Sequence, residues 1–146
     1  MRHEFVVWTD RTRLPTIQDV VAGMKEGGYD CRVEEIHAVK TDPASWAELK
    51  LESEAGSSTL TCRVVTSVPS RAEIEQMRET YELLPFQLKN AARKYMIGCE
   101  ADEYGQATGF QGQVVLTIAR LSRGVIDDPQ EGGLMMLEEF EEYLSS

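Results

Sequence analysis

The chain has 146 residues, 15 Lys+Arg against 25 Asp+Glu for a formal net charge of −10, and is 42% hydrophobic and 27% charged. One globular domain over residues 1–146 is expected, because two separately cored domains would each fall near the lower size limit and the composition is not that of a disordered chain. No apolar run approaches the roughly 18 residues of a membrane span, and the stretch after Met1-Arg2-His3-Glu4 ends at Asp10, too short for a signal peptide.

The first strand is expected at Phe5-Val6-Val7-Trp8, apolar on both faces. Thr9–Pro15 reads as a polar loop, and Thr16 with Asp19 three residues on opens a helix whose stripe is Ile17, Val20, Val21 and Met24. Gly27-Gly28 ends it. Cys31–Val39 reads as the next strand, with a bulge because Cys31 and Val33 lie on one parity and Ile36 and Ala38 on the other. Trp46–Glu52, with Ala47, Leu49 and Leu51 inward, and Thr59–Thr66, with Leu60, Cys62 and Val64 inward, form a hairpin around residues 54–58.

Ser70-Arg71-Ala72-Glu73 is a capping box for a helix carrying Ile74, Met77 and Tyr81; Pro85 breaks it before a short helical piece over Phe86–Arg93. Tyr95, Ile97, Cys99 and Ala101 alternate as a strand. A loop over 103–109 precedes a helix from about Gly112 to Ser122, stopped by Gly124. Val125-Ile126 is a short extended stub, Asp127-Asp128-Pro129-Gln130 a turn, and Leu134–Leu144 a final helix with Leu137, Phe140 and Leu144 inward. One crossover and one plain hairpin predict an α+β fold: a mixed, mostly antiparallel sheet with helices packed on one face, a ferredoxin-like variant with an added hairpin and C-terminal helices.

Charge is uneven along this order. Residues 1–70 hold 8 basic and 11 acidic side chains, residues 71–146 hold 7 and 14, and no basic residue follows Arg123. An acidic surface repels phosphate backbones and anionic membranes, so neither is an expected partner; a basic protein is the natural complement. The glutamates of the last helix, Glu138, Glu139, Glu141 and Glu142, are the candidate partner-binding residues, with Met135, Met136, Phe140 and Tyr143 as an adaptable apolar border.

The equipment for bond-making is sparse. Only His3 and His37 are available as imidazole bases, and no nucleophile elbow is present. Cys31, Cys62 and Cys99 are odd in number and widely spaced, without a CxxC, and read as free buried thiols of a reducing cytoplasm rather than as a disulfide or zinc framework. Gly105–Gly112 lacks the lysine of a phosphate-binding loop; the amides of Gly109 to Gly112 are its only candidate anion contacts. Asp127 and Asp128 are candidate ligands for a hard cation, with Glu131 or His37 in support, which would make a metal-assisted hydrolase. The competing role for either aspartate is to cap the turn into the last helix. No cofactor is expected.

The run Leu121-Ser122-Arg123-Gly124-Val125-Ile126-Asp127-Asp128-Pro129-Gln130 resembles a segment of small, largely uncharacterised bacterial α/β proteins, in which a helix ends in glycine and a short strand closes on an Asp-Pro-Gln-like turn. Some of these resemble immunity or inhibitor proteins encoded beside toxins, and the likeness implies no catalytic residue. The expectation is a non-catalytic protein-binding module of immunity type, its carboxylates imitating a row of substrate phosphates. A metal-assisted hydrolase, a small-ligand sensor, and a homodimer through the edge strand of the hairpin are the rivals.

Overall fold

Alternation of side chains writes most of the sheet. In β1 (Arg2–Thr9), Phe5 and Val7 enter the main core while Val6 and Trp8 face the other way. In β3 (Glu48–Ala55) and β4 (Ser58–Ser67), Leu49, Leu51, Leu60, Cys62 and Val64 join Phe5 and Val7. The computed structural model describes residues 2–36, 46–100, 106–130 and 133–145. It joins these strands to β2 (Cys31–Ile36), β5 (Arg93–Glu100), β6 (Val125–Asp128) and β7 (Gly133–Met135) in one sheet of order β2-β3-β4-β5-β1-β6-β7. The helices are α1 (Ile17–Glu26), α2 (Arg71–Thr80), α3 (Phe86–Lys89), α4 (Gln106–Ser122) and α5 (Leu137–Ser145).

Helices and strands are thus combined in an α+β molecule, but the sheet is not mixed: every pairing among the described residues is antiparallel. The crossover through α1 does join two strands that run the same way. They are not neighbours, because β5, β4 and β3 stand between β1 and β2. The hairpin β3–β4 is interior for the same reason and offers no free edge, so the dimer expected through it has no strand to use; β2 and β7 are the edges.

The helices do not keep to one face. On the main side, α4 is central: Phe110, Val114, Val115, Ile118 and Ala119 are all buried between the sheet, α1 and α5. Small residues permit the close packing. A Cβ on Gly23 would sit 2.5 Å from Thr117 Cγ2, and one on Gly112 2.5 Å from Leu144 Cδ2. On the opposite side α2 and α3 cover the β1–β6–β7 end, where Ile74, Met77, Leu84 and Leu88 pack on Trp8, Val125 and Leu134, and Glu73 of α2 reaches Lys94 of β5 at 2.9 Å. The rest of that face is wet and carries Arg63–Glu48 and Lys50–Glu52 ion pairs.

Local signals held where they were strong. Thr16 Oγ1 accepts from the Asp19 amide at 3.1 Å and Ser70 Oγ from the Glu73 amide at 3.2 Å, caps of about 1 kcal/mol each. Elsewhere the register differs. Pairing of β2 with β3 is continuous from Cys31 to Ile36, so no bulge lies between them; residues 37–39 are outside the described set. Ala47 is exposed ahead of β3. Leu134 and Met135 belong to β7 rather than the last helix, and α4 begins at Gln106, placing Gly109 and Gly112 inside a helix instead of ahead of one.

Candidate functional site

The partner-binding glutamates lie on α5, whose inward side is set by Phe140, fully buried, with Leu137 and Leu144 beside it. The four carboxylates do not share one role. Glu139 Oε1 accepts from the Met136 amide at 3.3 Å and closes the helix start, and Glu141 pairs with Arg120 of α4 at 2.9 Å. Glu138 and Glu142, one turn apart, are exposed and have no cation at ion-pair distance among the described residues. Met136, just ahead of α5, and Tyr143 are exposed nearby, whereas Phe140 is core.

Asp127 and Asp128 occupy β6, not a turn, and are only 6% and 3% exposed. Successive strand residues point to opposite faces. Asp127 shares the side of Val125, where its Oδ1 accepts from the Tyr81 hydroxyl at 3.1 Å. Burial raises its pKa above the ordinary 3.8 and Asp128 adds to the rise; the Tyr81 hydrogen bond and the nearby Trp8 indole oppose it. The Trp8 N–H itself reaches no acceptor at full hydrogen-bond geometry. Tyr81 answers in kind: burial and the Asp127 charge push its phenol up to about 12.

Asp128 turns to the other face, where its Oδ1 accepts from both the backbone N and the Nε2 of Gln130, at 3.2 and 2.7 Å. The reason is the proline. Pairing of β1 with β6 stops at Val6↔Asp127, and Pro129 has no N–H to continue it. The carboxamide of Gln130 takes over: Oε1 accepts from Glu4 N at 2.9 Å and Nε2 donates to Glu4 O at 2.6 Å, as a strand's peptide group would. Asp128 aims that carboxamide. The two aspartates are therefore not brought together, neither caps α5, and no three His, Cys, Asp or Glu side chains among the described residues converge as metal ligands. His37 and Glu131 lie outside the described residues. His3 sits in β1 opposite Cys99, its ring 5.0 Å from Phe5. None of the three cysteines is in a disulfide; Cys62 and Cys99 are buried and Cys31 is half-buried, where burial and Asp30 raise its pKa away from reactivity.

The feature that the sequence reading passed over lies where β1 ends. The loop after Thr9 is fastened at several points: Thr9 Oγ1 donates to the Ser122 carbonyl at 2.7 Å and accepts from the Arg11 amide, Arg93 Nε donates to the Thr12 carbonyl, and Trp46 Nε1 donates to the Pro15 carbonyl at 2.8 Å. This brings Arg11 and Arg13 against Arg123 at the end of α4, around a cleft of about 300 Å³ walled by Leu14 and Leu121. None of the three guanidiniums has a hydrogen-bond or ion-pair partner among the described residues.

Comparison of the chain with protein-family models, curated proteins and solved structures finds no match.

Arg123 also corrects the reading of the helix end. It is the described non-glycine residue with positive φ, 56°, and so stands at the left-handed position that glycine commonly fills. Gly124 follows it, its amide donating to Ala119 O at 3.0 Å. That glycine is required for space rather than for φ: a Cβ there would lie 2.4 Å from Val7 Cγ1 and 2.9 Å from the Trp8 carbonyl oxygen. The one available signal in the sequence was three arginines flanking glycine, threonine and proline turns in a chain of net charge −10.

Proposed function

We propose that the chain is a cytoplasmic, non-catalytic protein-binding module on a ferredoxin-like core, and that the solvent side of α5 receives a basic protein. The order β6-β1-β5-β4, with α1 and α4 as crossovers between β1 and β4 and between β5 and β6, supports the ferredoxin-like part; β2–β3, α2–α3 and β7–α5 are then additions. Three cysteines without a disulfide fit a reducing compartment. Among the described residues no helix is long and apolar enough to cross a membrane.

The observation that carries the binding role is the pair Glu138 and Glu142, exposed and without a cation partner among the described residues, on a helix whose other side is held by Phe140 and Leu144. Carboxylates on a fixed helix need little ordering to meet a cationic surface, and an unscreened field speeds encounter. Immunity-type inhibition is the concrete form: the glutamate row takes the place of substrate phosphates on a nuclease or similar cationic site. The test is kinetic. With the basic protein retained from the native host at low salt, identified and purified, the association rate should fall steeply with salt. It should drop about tenfold in the Glu138→Gln/Glu142→Gln double variant. Equal rates for wild type and variant would remove α5 from the interface.

A further inference from the structure

We propose that the cleft of Arg11, Arg13 and Arg123 is a binding site for a small phosphomonoester, a function separate from the acidic face of α5. The cleft is a built concavity of about 300 Å³, the lower end of the range that small ligands occupy. Arg11, Arg13 and Arg123 all line it, and among the described residues no carboxylate pairs with any of them. In a chain of net charge −10 such a concentration of unpaired positive charge has abundant acidic partners to choose from, yet it is left open. The net charge does not forbid an anion here, because fields from carboxylates beyond about 8 Å are largely screened at physiological ionic strength.

Ligand chemistry follows from the lining. A phosphomonoester is a compact anion whose several oxygens match the planar forks of arginine, each able to give two parallel N–H···O bonds. Leu14 and Leu121 supply an apolar wall beside the charge, and Leu121, at 41% exposure, is a large aliphatic side chain that the core does not use. A phosphate head with a short organic body fits both halves; inorganic phosphate fits only one. Thr16, which also lines the cleft, caps α1 by accepting from the Asp19 amide. Asp19 lines one rim and opposes the anion. The backbone is positioned in advance: the Thr9, Arg93 and Trp46 hydrogen bonds hold the Arg11–Pro15 loop, and the left-handed turn at Arg123 delivers its side chain to the same mouth.

Titration calorimetry of the whole chain at low salt, with phenyl phosphate and inorganic phosphate as probes, tests this. Phenyl phosphate should bind at millimolar concentration or below, and more tightly than inorganic phosphate. Arg11→Gln, Arg13→Gln and Arg123→Gly should each weaken it about tenfold or more, the loss expected for a charge-assisted hydrogen bond. Arg123→Gly is the cleanest of these, because glycine suits the positive φ and the variant should melt no lower than wild type. Asp19→Asn should tighten binding, and Leu121→Ser should weaken phenyl phosphate but not inorganic phosphate. Absence of heat with phenyl phosphate, or affinity unchanged in Arg11→Gln and Arg123→Gly, overturns the site. Equal affinity for the two probes overturns the organic ligand.

Discussion

On the solvent side of α5 the negative charges come from Glu138, Glu139 and Glu142, close neighbours in the chain on one short helix. In the cleft the positive charges come from Arg11 and Arg13 after β1 and from Arg123 beyond α4, at opposite ends of the molecule's sequence. The first patch is convex and lies open to solvent; the second is concave, and its shape depends on the Thr9–Ser122 hydrogen bond and the tethered loop. The contrast teaches that a charge run along the chain marks a surface, whereas a ligand site is made by pairing segments that the chain keeps apart. A convex charged face suits a large partner with its own complementary surface, and a cleft of limited volume suits a small one.

The dependence of each region on its support can be broken in turn. The largest effect is expected for Phe140→Ala, which empties the anchor of α5 among Phe5 and the main core and should cost about 3–5 kcal/mol by denaturant unfolding. It should release the acidic helix while leaving phenyl phosphate binding intact in the folded fraction. Loss of both together would show that the two regions are one cooperative unit. Gly124→Ala should cost about 1–3 kcal/mol, because the new methyl meets Val7 and the Trp8 backbone, which has nowhere to yield. That change should disturb the cleft through Arg123 and spare α5.

The β6 carboxylates belong to neither region and sharpen the comparison through pH. Asp127 has a raised pKa in the folded chain, so the native state holds a proton more tightly than the unfolded state does. Stability from this group is therefore present at acid pH and lost as pH rises from about the ordinary value of 3.8 through the raised one. Asp127→Asn keeps an acceptor for the Tyr81 hydroxyl and removes that loss. Its melting temperature relative to wild type should climb over this window, and a constant difference from pH 3 to pH 7 would contradict the assignment. The smallest effect on stability is expected for Glu138→Gln with Glu142→Gln, since neither side chain has a fold partner among the described residues. Thermal melts should be indistinguishable from wild type, whereas Glu141→Gln should show the loss of the Arg120 pair as a small drop.

Legibility in the sequence followed the range of the interaction. The Ile17, Val20 and Met24 stripe of α1 (though not Val21), the caps at Thr16 and Ser70, the β3–β4 alternation and the inward set of α5 were readable, because each is a relation between residues a few positions apart. The α4 start was misplaced because Gly109 and Gly112 look like loop residues; their reason is close packing against Tyr29 and Leu144, which no local pattern records. The Asp127-Asp128-Pro129-Gln130 run looked like a turn with paired carboxylates for the same cause. Only the pairing of β6 with β1 sends the two aspartates to opposite faces and gives Gln130 the Glu4 peptide to bind.

The chain by itself determined most of the elements but not β7 or the start of α4, together with the acidic terminal helix, its wet and dry sides, and the α+β class, since periodicity and capping act within one or two turns or along one strand. Tertiary structure alone decided that the hairpin is interior, that α2 and α3 cover one end of the second face, and that Arg11, Arg13 and Arg123 share a cleft. Those outcomes depend on which strands find each other across long loops. Strand order and register are settled by burial of the whole sheet at once rather than by any segment of it.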